Sequence, residues 1–84
     1  MAVKLVRTYS NKVERVTVPP ELEGFVNYML SRGYKESTVA VIIMDLRMIM
    51  NRGLSERELE LMSGKVGRRF RYAWRHYKRW RSEA

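Results

Sequence analysis

The residues with the clearest chemical potential lie between 65 and 81, close to the C-terminus. This stretch holds eight lysine and arginine side chains and no aspartate or glutamate. The 84-residue chain has a formal charge of +8, so its excess positive charge is concentrated in this one stretch. Basic residues at this density, unmixed with acids, bind anions, and a polyanion removes their mutual repulsion. A solvated basic face without a partner is the alternative interpretation.

The same stretch has the periodicity of an amphipathic helix, since its apolar residues recur at steps of three and four. These apolar residues are Val66, Phe70, Ala73, Trp74, Tyr77 and Trp80. Five basic side chains fall on the opposite side, across an arc of roughly 100°. They are Arg68, Arg71, Arg75, Lys78 and Arg79. We therefore predict that a buried aromatic seam anchors this helix while its cations face outward.

Other kinds of chemistry have little support in the composition. The chain has no cysteine, and a lone histidine, His76, cannot form a typical zinc or haem site. The carboxylates fall near predicted helix caps and exposed faces, and no glycine-rich phosphate loop or nucleophile motif occurs. We expect no catalytic residue, no metal, no cofactor and no small-molecule substrate, so the protein is not predicted to be an enzyme.

Two further expectations concern location. No apolar run approaches the roughly 18 residues of a membrane span. The start of the chain lacks the apolar core of a signal peptide. We therefore expect a cytoplasmic protein that does not cross a membrane.

The elements that position the basic stretch can be predicted in order. In residues 3–18 apolar and polar residues tend to alternate, and valine and threonine are frequent. This pattern predicts a β-hairpin with its turn at residues 10–12. A flexible arm is the alternative. We assign residues 1–18 to this hairpin or arm and residues 19–84 to a four-helix domain. The first helix begins at Pro19-Pro20 and stops at Gly33.

The second helix begins near Ser37 or Thr38, either of which can cap it, and stops at Gly53. Its apolar residues form two stripes, one of Val39, Ile42, Ile43, Leu46, Ile49 and Met50 and the other of Val41, Met44 and Met48. A helix that is apolar on most sides is typical of the centre of a small bundle, so we favour core packing for both stripes. The methionine stripe offers an alternative, contact with another protein or with a second copy in a homodimer.

Ser55 and Glu58 have the spacing of a capping box, which predicts a short third helix ahead of the basic one. The opening of the second helix is a further candidate anion site. Its amide groups, together with Lys35, Ser37 and Thr38, are suited to holding a phosphate. The fold predicted from all these elements is mainly α, a four-helix bundle preceded by a short β-hairpin or arm.

Part of the chain resembles the core-binding domain of the tyrosine recombinase (phage integrase) family. The resemblance begins with residues 25–34, which end in Arg32-Gly33-Tyr34, and continues with Ser37-Thr38-Val39 and Leu46-Arg47. Residues 72–80, with spaced aromatics and arginines, are similar to the last helix of that domain. The resemblance covers roughly residues 20–81. It implies a SAM-like four-helix bundle that clamps one side of duplex DNA, with a role in DNA recombination.

The chain also departs from this family. Ile42 stands where the family often has tyrosine, and Lys35 where a small polar residue is common. The sequence shows no catalytic domain with its tyrosine nucleophile. His76 and Arg79 spell the family's His-x-x-Arg, but they lie inside the candidate DNA-binding helix, so we interpret the match as coincidental. The resemblance therefore implies a fragment or a free-standing relative that binds DNA without cutting it.

The leading hypothesis is a non-catalytic module that binds double-stranded DNA through the basic helix. Its predicted contacts are Lys35, Ser37, Thr38, Lys65, Arg68, Arg69, Arg71, Arg75, Lys78 and Arg79. RNA or single-strand binding is an alternative, in which Tyr72, His76 and Trp80 stack on bases. An adaptor that docks on an acidic protein or a membrane surface is another, and it requires exposed tryptophans.

Overall fold

Four helices follow an antiparallel β-hairpin in the computed structural model, which describes residues 3–83. The elements are β1 (Val3–Tyr9), β2 (Lys12–Val18), α1 (Glu23–Ser31), α2 (Glu36–Arg52), α3 (Glu56–Leu61) and α4 (Gly64–Glu83). A 3₁₀ turn, Pro20–Leu22, precedes α1. The predicted fold class, mainly α with a short hairpin in front, is confirmed.

The hairpin turns through two residues, Ser10 and Asn11, with Tyr9 paired to Lys12. Their φ angles are 45° and 64°, the left-handed values of a type I′ turn, whose twist matches that of the flanking strands. The prediction of a hairpin is confirmed, and the turn is one residue shorter than expected because Lys12 already belongs to β2. Asparagine tolerates the left-handed region better than most residues, which explains its place in the turn.

The strands alternate between a buried and an exposed face. Leu5 is paired with Val16, and these two side chains are buried together with Val18. The opposite face carries Lys4, Val6, Thr8, Val13, Arg15 and Thr17, all of them exposed. The hairpin thus has one core-facing side and one side directed to solvent, as the period of two requires.

The first turn of α2 closes the outer edge of β1. The backbone N–H of Val6 donates to Glu36 Oε1 at 2.7 Å, and that of Thr8 donates to Ser37 Oγ at 3.4 Å. These N–H groups point away from β2, so without α2 they would depend on solvent for a partner. The second helix begins near the predicted position, but the predicted caps were wrong. Because α2 begins at Glu36, Ser37 and Thr38 lie inside the helix and neither is its cap.

The predicted helix ends are confirmed where glycine or a capping box marks them. Gly33 and Gly53 have φ values of 90° and 63°, which glycine adopts without a Cβ clash. Ser55 Oγ accepts from the backbone N–H of Glu58, and the Glu58 carboxylate accepts from the N–H of Ser55. Both partners of the capping box are therefore in place at the start of α3.

The described residues pack as two compact units, one ending at Ile43 and the other beginning at Met44. In the first unit the buried side chains come from the hairpin, α1 and the first half of α2. In the second unit they are Asp45, Leu46, Ile49, Leu59, Phe70 and Ala73. The assignment of residues 1–18 and 19–84 to separate domains stays a prediction.

In the second unit, α4 passes unusually close to the end of α3. Gly67 is buried, and a Cβ atom at this position would lie 2.6 Å from the carbonyl oxygen of Met62. Carbon and oxygen atoms do not approach so closely without a shift of the backbone. The absence of a side chain at Gly67 therefore permits the contact between the two helices.

Replacing Gly67 with alanine should lower the free energy of unfolding by up to about 2 kcal/mol. Helix propensity alone favours alanine by about 1 kcal/mol, but forced overpacking typically costs about 1–3 kcal/mol. Urea unfolding monitored by circular dichroism measures the difference, provided that the slope of the transition is unchanged. A Gly67→Ala variant more stable than the parent by about 1 kcal/mol would show that the close approach of α4 to Met62 has no energetic consequence.

Candidate nucleic-acid interface

The buried side of α4 is formed by Gly67, Phe70 and Ala73. Trp74, Tyr77 and Trp80 lie beside it and are half-buried, with ring centroids 5.3 Å apart for Trp74–Tyr77 and 6.0 Å apart for Tyr77–Trp80. The predicted aromatic seam therefore exists, although its tryptophans are only partly covered. Val66 was wrongly assigned to it, since this side chain at the first turn of α4 is 48% exposed.

Opposite the buried side, α4 presents an outer ridge, formed by Arg68, Tyr72, Arg75 and Arg79. At 100° per residue these four positions fall within an arc of roughly 60°, centred about 180° from Phe70. All four side chains are exposed. None of the three arginines forms an ion pair or a side-chain hydrogen bond within residues 3–83. The ridge therefore offers three uncompensated guanidinium groups to solvent.

The length of the outer ridge suits an extended anion. Arg68 and Arg79 are eleven positions apart, which corresponds to about 16 Å along the helix axis. Duplex DNA carries a phosphate about every 3.4 Å along each strand, so several phosphates lie within that span. A linear polyanion can thus meet all three arginines at once, which a single small anion cannot do.

Arg69, predicted to bind DNA, is engaged inside the second unit. Its Nη2 atom donates to Asp45 Oδ1 at 2.9 Å. The Asp45 side chain is only 3% exposed, whereas that of Arg69 is 50% exposed. A buried carboxylate requires a cation or hydrogen-bond donors, so Arg69 compensates Asp45 and its charge is largely neutralised.

Arg71, a second predicted DNA contact, completes the end of α3. Its Nη1 atom donates to the carbonyl oxygens of Leu59 and Met62, at 2.8 and 2.6 Å. The last carbonyl groups of a helix have no partner within the helix, and a cation is favourable at this negative end of the helix dipole. The guanidinium of Arg71 is half-buried in this role, which ties α4 to α3.

Lys78 is the third predicted contact with a partner in the protein. Its Nζ atom pairs with Glu56 Oε1 at 2.5 Å, and Trp74 Nε1 donates to the same oxygen at 3.0 Å. These contacts hold the pKa of the Glu56 carboxyl below its ordinary value, chiefly through the hydrogen bond from Lys78 and then through that from Trp74. Both partners of this ion pair are exposed, so it contributes little to stability and can exchange with other anions.

The remaining predicted contacts divide between the two units. Lys65, in the second unit, is exposed and has no ion pair among the described residues. Lys35, Ser37 and Thr38 belong to the first unit, where Lys35 is exposed and Thr38 is half-buried. The Ser37 hydroxyl already accepts from Thr8, so it is oriented toward the hairpin. Phosphate binding at the start of α2 stays a prediction.

The methionine stripe of α2 is partly accessible. Met48 is 37% exposed, and with Met44, Arg47 and Asn51 it lines an open depression of about 230 Å³. Met50, assigned to the buried stripe, is 39% exposed and does not belong to the core. A homodimer or another protein contact through this stripe stays a prediction.

Tyr72 belongs to the outer ridge but was not among the predicted DNA contacts. It is 43% exposed, and its ring meets His76 edge-on with centroids 4.6 Å apart. A helical-wheel projection places it in the same arc as the three arginines, next to Arg79, so the signal was present in the sequence. An aromatic ring is suited to contact with bases and sugars, whereas the arginines beside it are suited to contact with phosphates.

Residues 3–83 contain no group of three or more His, Asp or Glu side chains placed to hold a metal ion. None of the helices described is both long and apolar enough to cross a bilayer. The outer ridge combines three like charges that have no ion pair among the described residues.

Comparison with known proteins adds no relative: no protein-family model matches the chain, nor does any curated protein or solved structure. The resemblance to the recombinase core-binding domain therefore stays a prediction that depends on the sequence pattern.

Removing Arg69 should destabilise the second unit because it removes a charged hydrogen bond to the buried Asp45 carboxylate. We expect Arg69→Leu to lower the free energy of unfolding by about 1–3 kcal/mol, as is usual when a buried polar group loses a hydrogen bond. Arg68→Leu, at the neighbouring exposed position, should change it by less than about 0.5 kcal/mol. Adding Asp45→Asn to Arg69→Leu should recover part of the lost stability. If Arg69→Leu and Arg68→Leu were equally stable, the structural role of the Arg69–Asp45 pair would be contradicted.

Acid should weaken the contact between α3 and α4 at Glu56. A carboxyl group whose pKa is lowered in the folded state stabilises that state above its unfolded pKa and loses this effect as the pH falls through the folded pKa. Glu56→Gln should therefore flatten the decline of stability between neutral and acidic pH. Urea unfolding across this range, followed by tryptophan fluorescence, measures the effect. Glu60→Gln, at another exposed position of α3, is the control, and identical pH profiles for the two variants would contradict the prediction.

Proposed function

We propose that this protein is a non-catalytic module that binds double-stranded DNA through the outer ridge of α4. The observation that supports the proposal is the exposure of Arg68, Arg75 and Arg79 on one side of the helix, without an ion pair in the described residues. Condensed counterions leave DNA when such cations replace them, and this release drives binding. Arginine also contacts phosphate and guanine through two N–H groups at once.

The distribution of charge favours a nucleic acid over a smaller anion. The outer ridge presents its guanidinium groups in a line, and Lys65 adds a further exposed cation near the start of α4. Two carboxylates in contact with α4, Asp45 and Glu56, lie on its flanks and are paired with Arg69 and Lys78. A linear ligand with regularly spaced charges gains from every ridge arginine, which matches the geometry of a phosphate backbone.

The resemblance to recombinase core-binding domains points to the same ligand. The pattern over residues 20–81 implies contact with duplex DNA, and the outer ridge belongs to the helix that this pattern likens to the last helix of the domain. The absence of a recognisable nucleophile and base in the sequence supports binding without cleavage. We accordingly infer a cytoplasmic protein that acts on DNA by occupying it, in recombination or a related process.

A charge-matched pair of variants tests the ridge. Arg75→Gln/Arg79→Gln should weaken binding to a mixed-sequence duplex at least about tenfold at low salt, because two phosphate contacts are lost. The slope of log affinity against log salt should become shallower by roughly 1.8, or 0.9 per phosphate. Fluorescence anisotropy with a labelled duplex at several salt concentrations measures both quantities.

Arg52→Gln/Arg57→Gln is the matched control, since it removes the same charge from two exposed residues outside α4. It should leave the salt slope close to that of the parent. Equal effects of the two double variants would mean that net charge alone drives binding and would contradict the ridge. If the parent protein binds single-stranded DNA, RNA or anionic vesicles more tightly than duplex DNA, the proposal of duplex DNA as its ligand is contradicted.

A further inference from the structure

The exposed face of the β-hairpin is a second basic surface, which the proposed function leaves unused. We call it the ribbon face and define it by Lys4, Val6, Thr8, Val13, Arg15 and Thr17. It contains two cations, Lys4 and Arg15, and no carboxylate, whereas Lys12, beside the turn, projects from the opposite face of the hairpin. Lys4 and Arg15 form no ion pair within residues 3–83. This face is therefore positively charged without internal compensation.

The acidic residues of the hairpin region are directed elsewhere. Glu14 lies on the other face of the strands and pairs with Arg7, with Arg7 Nη1 and Glu14 Oε2 3.7 Å apart. Glu36 lies at the edge of β1, where its carboxylate accepts from the N–H of Val6. Neither carboxylate projects from the ribbon face, so a polyanion that approaches this face meets cations first.

The hairpin is also held in a fixed position within the first unit. The side chains of Leu5, Val16 and Val18 on its inner face are buried, and hydrogen bonds to Glu36 and Ser37 hold its outer edge against α2. An isolated two-stranded hairpin is only marginally stable in water, but this one has a packed face and a closed edge. The ribbon face is therefore preorganised, and binding a ligand does not require the strands to form first.

The dimensions and side chains of the ribbon face suit duplex DNA. Paired strands lie about 4.8 Å apart, and the major groove, about 12 Å wide, admits a two-stranded ribbon. Arginine and lysine contact guanine or phosphate, the threonine hydroxyls bond to bases, and valine packs on the methyl group of thymine. Val6 and Val13 are 38% and 68% exposed, so apolar contacts are offered between the cations.

We propose that the ribbon face is a second duplex-DNA contact, with the hairpin docked in the major groove. This inference deepens the proposed function and rests on it, because it assigns another surface to the same ligand. The surface belongs to the first compact unit, whereas the outer ridge belongs to the second, so each is tested by itself. A protein partner that adds a strand is disfavoured, because Lys12 and Arg15 project from β2, and charged side chains on an edge strand oppose pairing with another strand.

The test combines charge removal with a map of the contact. Lys4→Gln/Arg15→Gln in the full chain should weaken binding to a mixed-sequence duplex at least about fivefold and make the salt slope shallower by roughly 1–2. In a two-dimensional amide NMR titration of the parent protein with a short duplex, the signals of Val13, Arg15 and Thr17 should shift. Both substituted side chains are exposed and unpaired, so the variant should keep the parent's circular dichroism spectrum.

The control is again Arg52→Gln/Arg57→Gln, which removes the same charge and should leave the slope unchanged. If the ribbon-face variant behaves like this control and only α4 signals shift, the ribbon-face inference is overturned while the proposed function stands. If the parent chain fails to bind any duplex at low salt, the proposed function fails and the inference with it. Two contacts would be supported if the amide signals of both the ribbon face and α4 shift, and if the salt slope becomes shallower for Lys4→Gln/Arg15→Gln and for Arg75→Gln/Arg79→Gln.

Discussion

The rotation of α4 about its own axis is the constraint on which the proposed interface depends. Burial of Phe70 and Ala73 fixes one side of the helix, and the close approach permitted by Gly67 places it against the end of α3. The hydrogen bonds from Arg71 to two carbonyl groups then prevent the helix from turning. Because this side is held, Arg68, Arg75 and Arg79 are directed to solvent, and no surface interaction is needed to keep them there.

The division of the basic residues into two groups follows from this rotation. Arg69, Arg71 and Lys78 lie on the flanks of α4, where they meet a buried carboxylate, backbone carbonyls and an exposed carboxylate, respectively. Their contacts stabilise the protein and reduce their charge toward a ligand. The ridge arginines have no such partners among the described residues, and their mutual repulsion remains until a polyanion arrives. Structural and binding roles are thus separated by position around one helix.

The hairpin shows a similar division between two faces. Its inner face supplies buried side chains, its outer edge is closed by the first turn of α2, and its exposed face retains uncompensated cations. The carboxylate of Glu36 serves the backbone of β1 at this edge. In both units, therefore, described carboxylates are engaged at edges and flanks, while cations remain on the outward surfaces. This arrangement is the physical basis for proposing one polyanionic ligand for both surfaces.

The local structure of the chain could be predicted from its residues. The alternation in residues 3–18, the glycines at helix ends and the capping box of Ser55 and Glu58 act over a few residues, so their consequences do not depend on the rest of the chain. Helical periodicity likewise indicated that Phe70 and Ala73 share a side of α4. The outward position of Arg75 and Arg79 followed from the same spacing.

The availability of each cation and the burial of each apolar side chain could not be predicted in this way, because they depend on contacts between distant parts of the chain. Nothing near Arg69 or Arg71 in the sequence identifies Asp45 or the end of α3 as partners, because those contacts join residues far apart along the chain. Val66 has the right spacing for burial but is exposed at the first turn of α4. Ser37 resembles a helix cap but accepts a hydrogen bond from the hairpin. Periodicity gives the angle of a side chain around its helix, whereas burial and pairing depend on what the fold places opposite it.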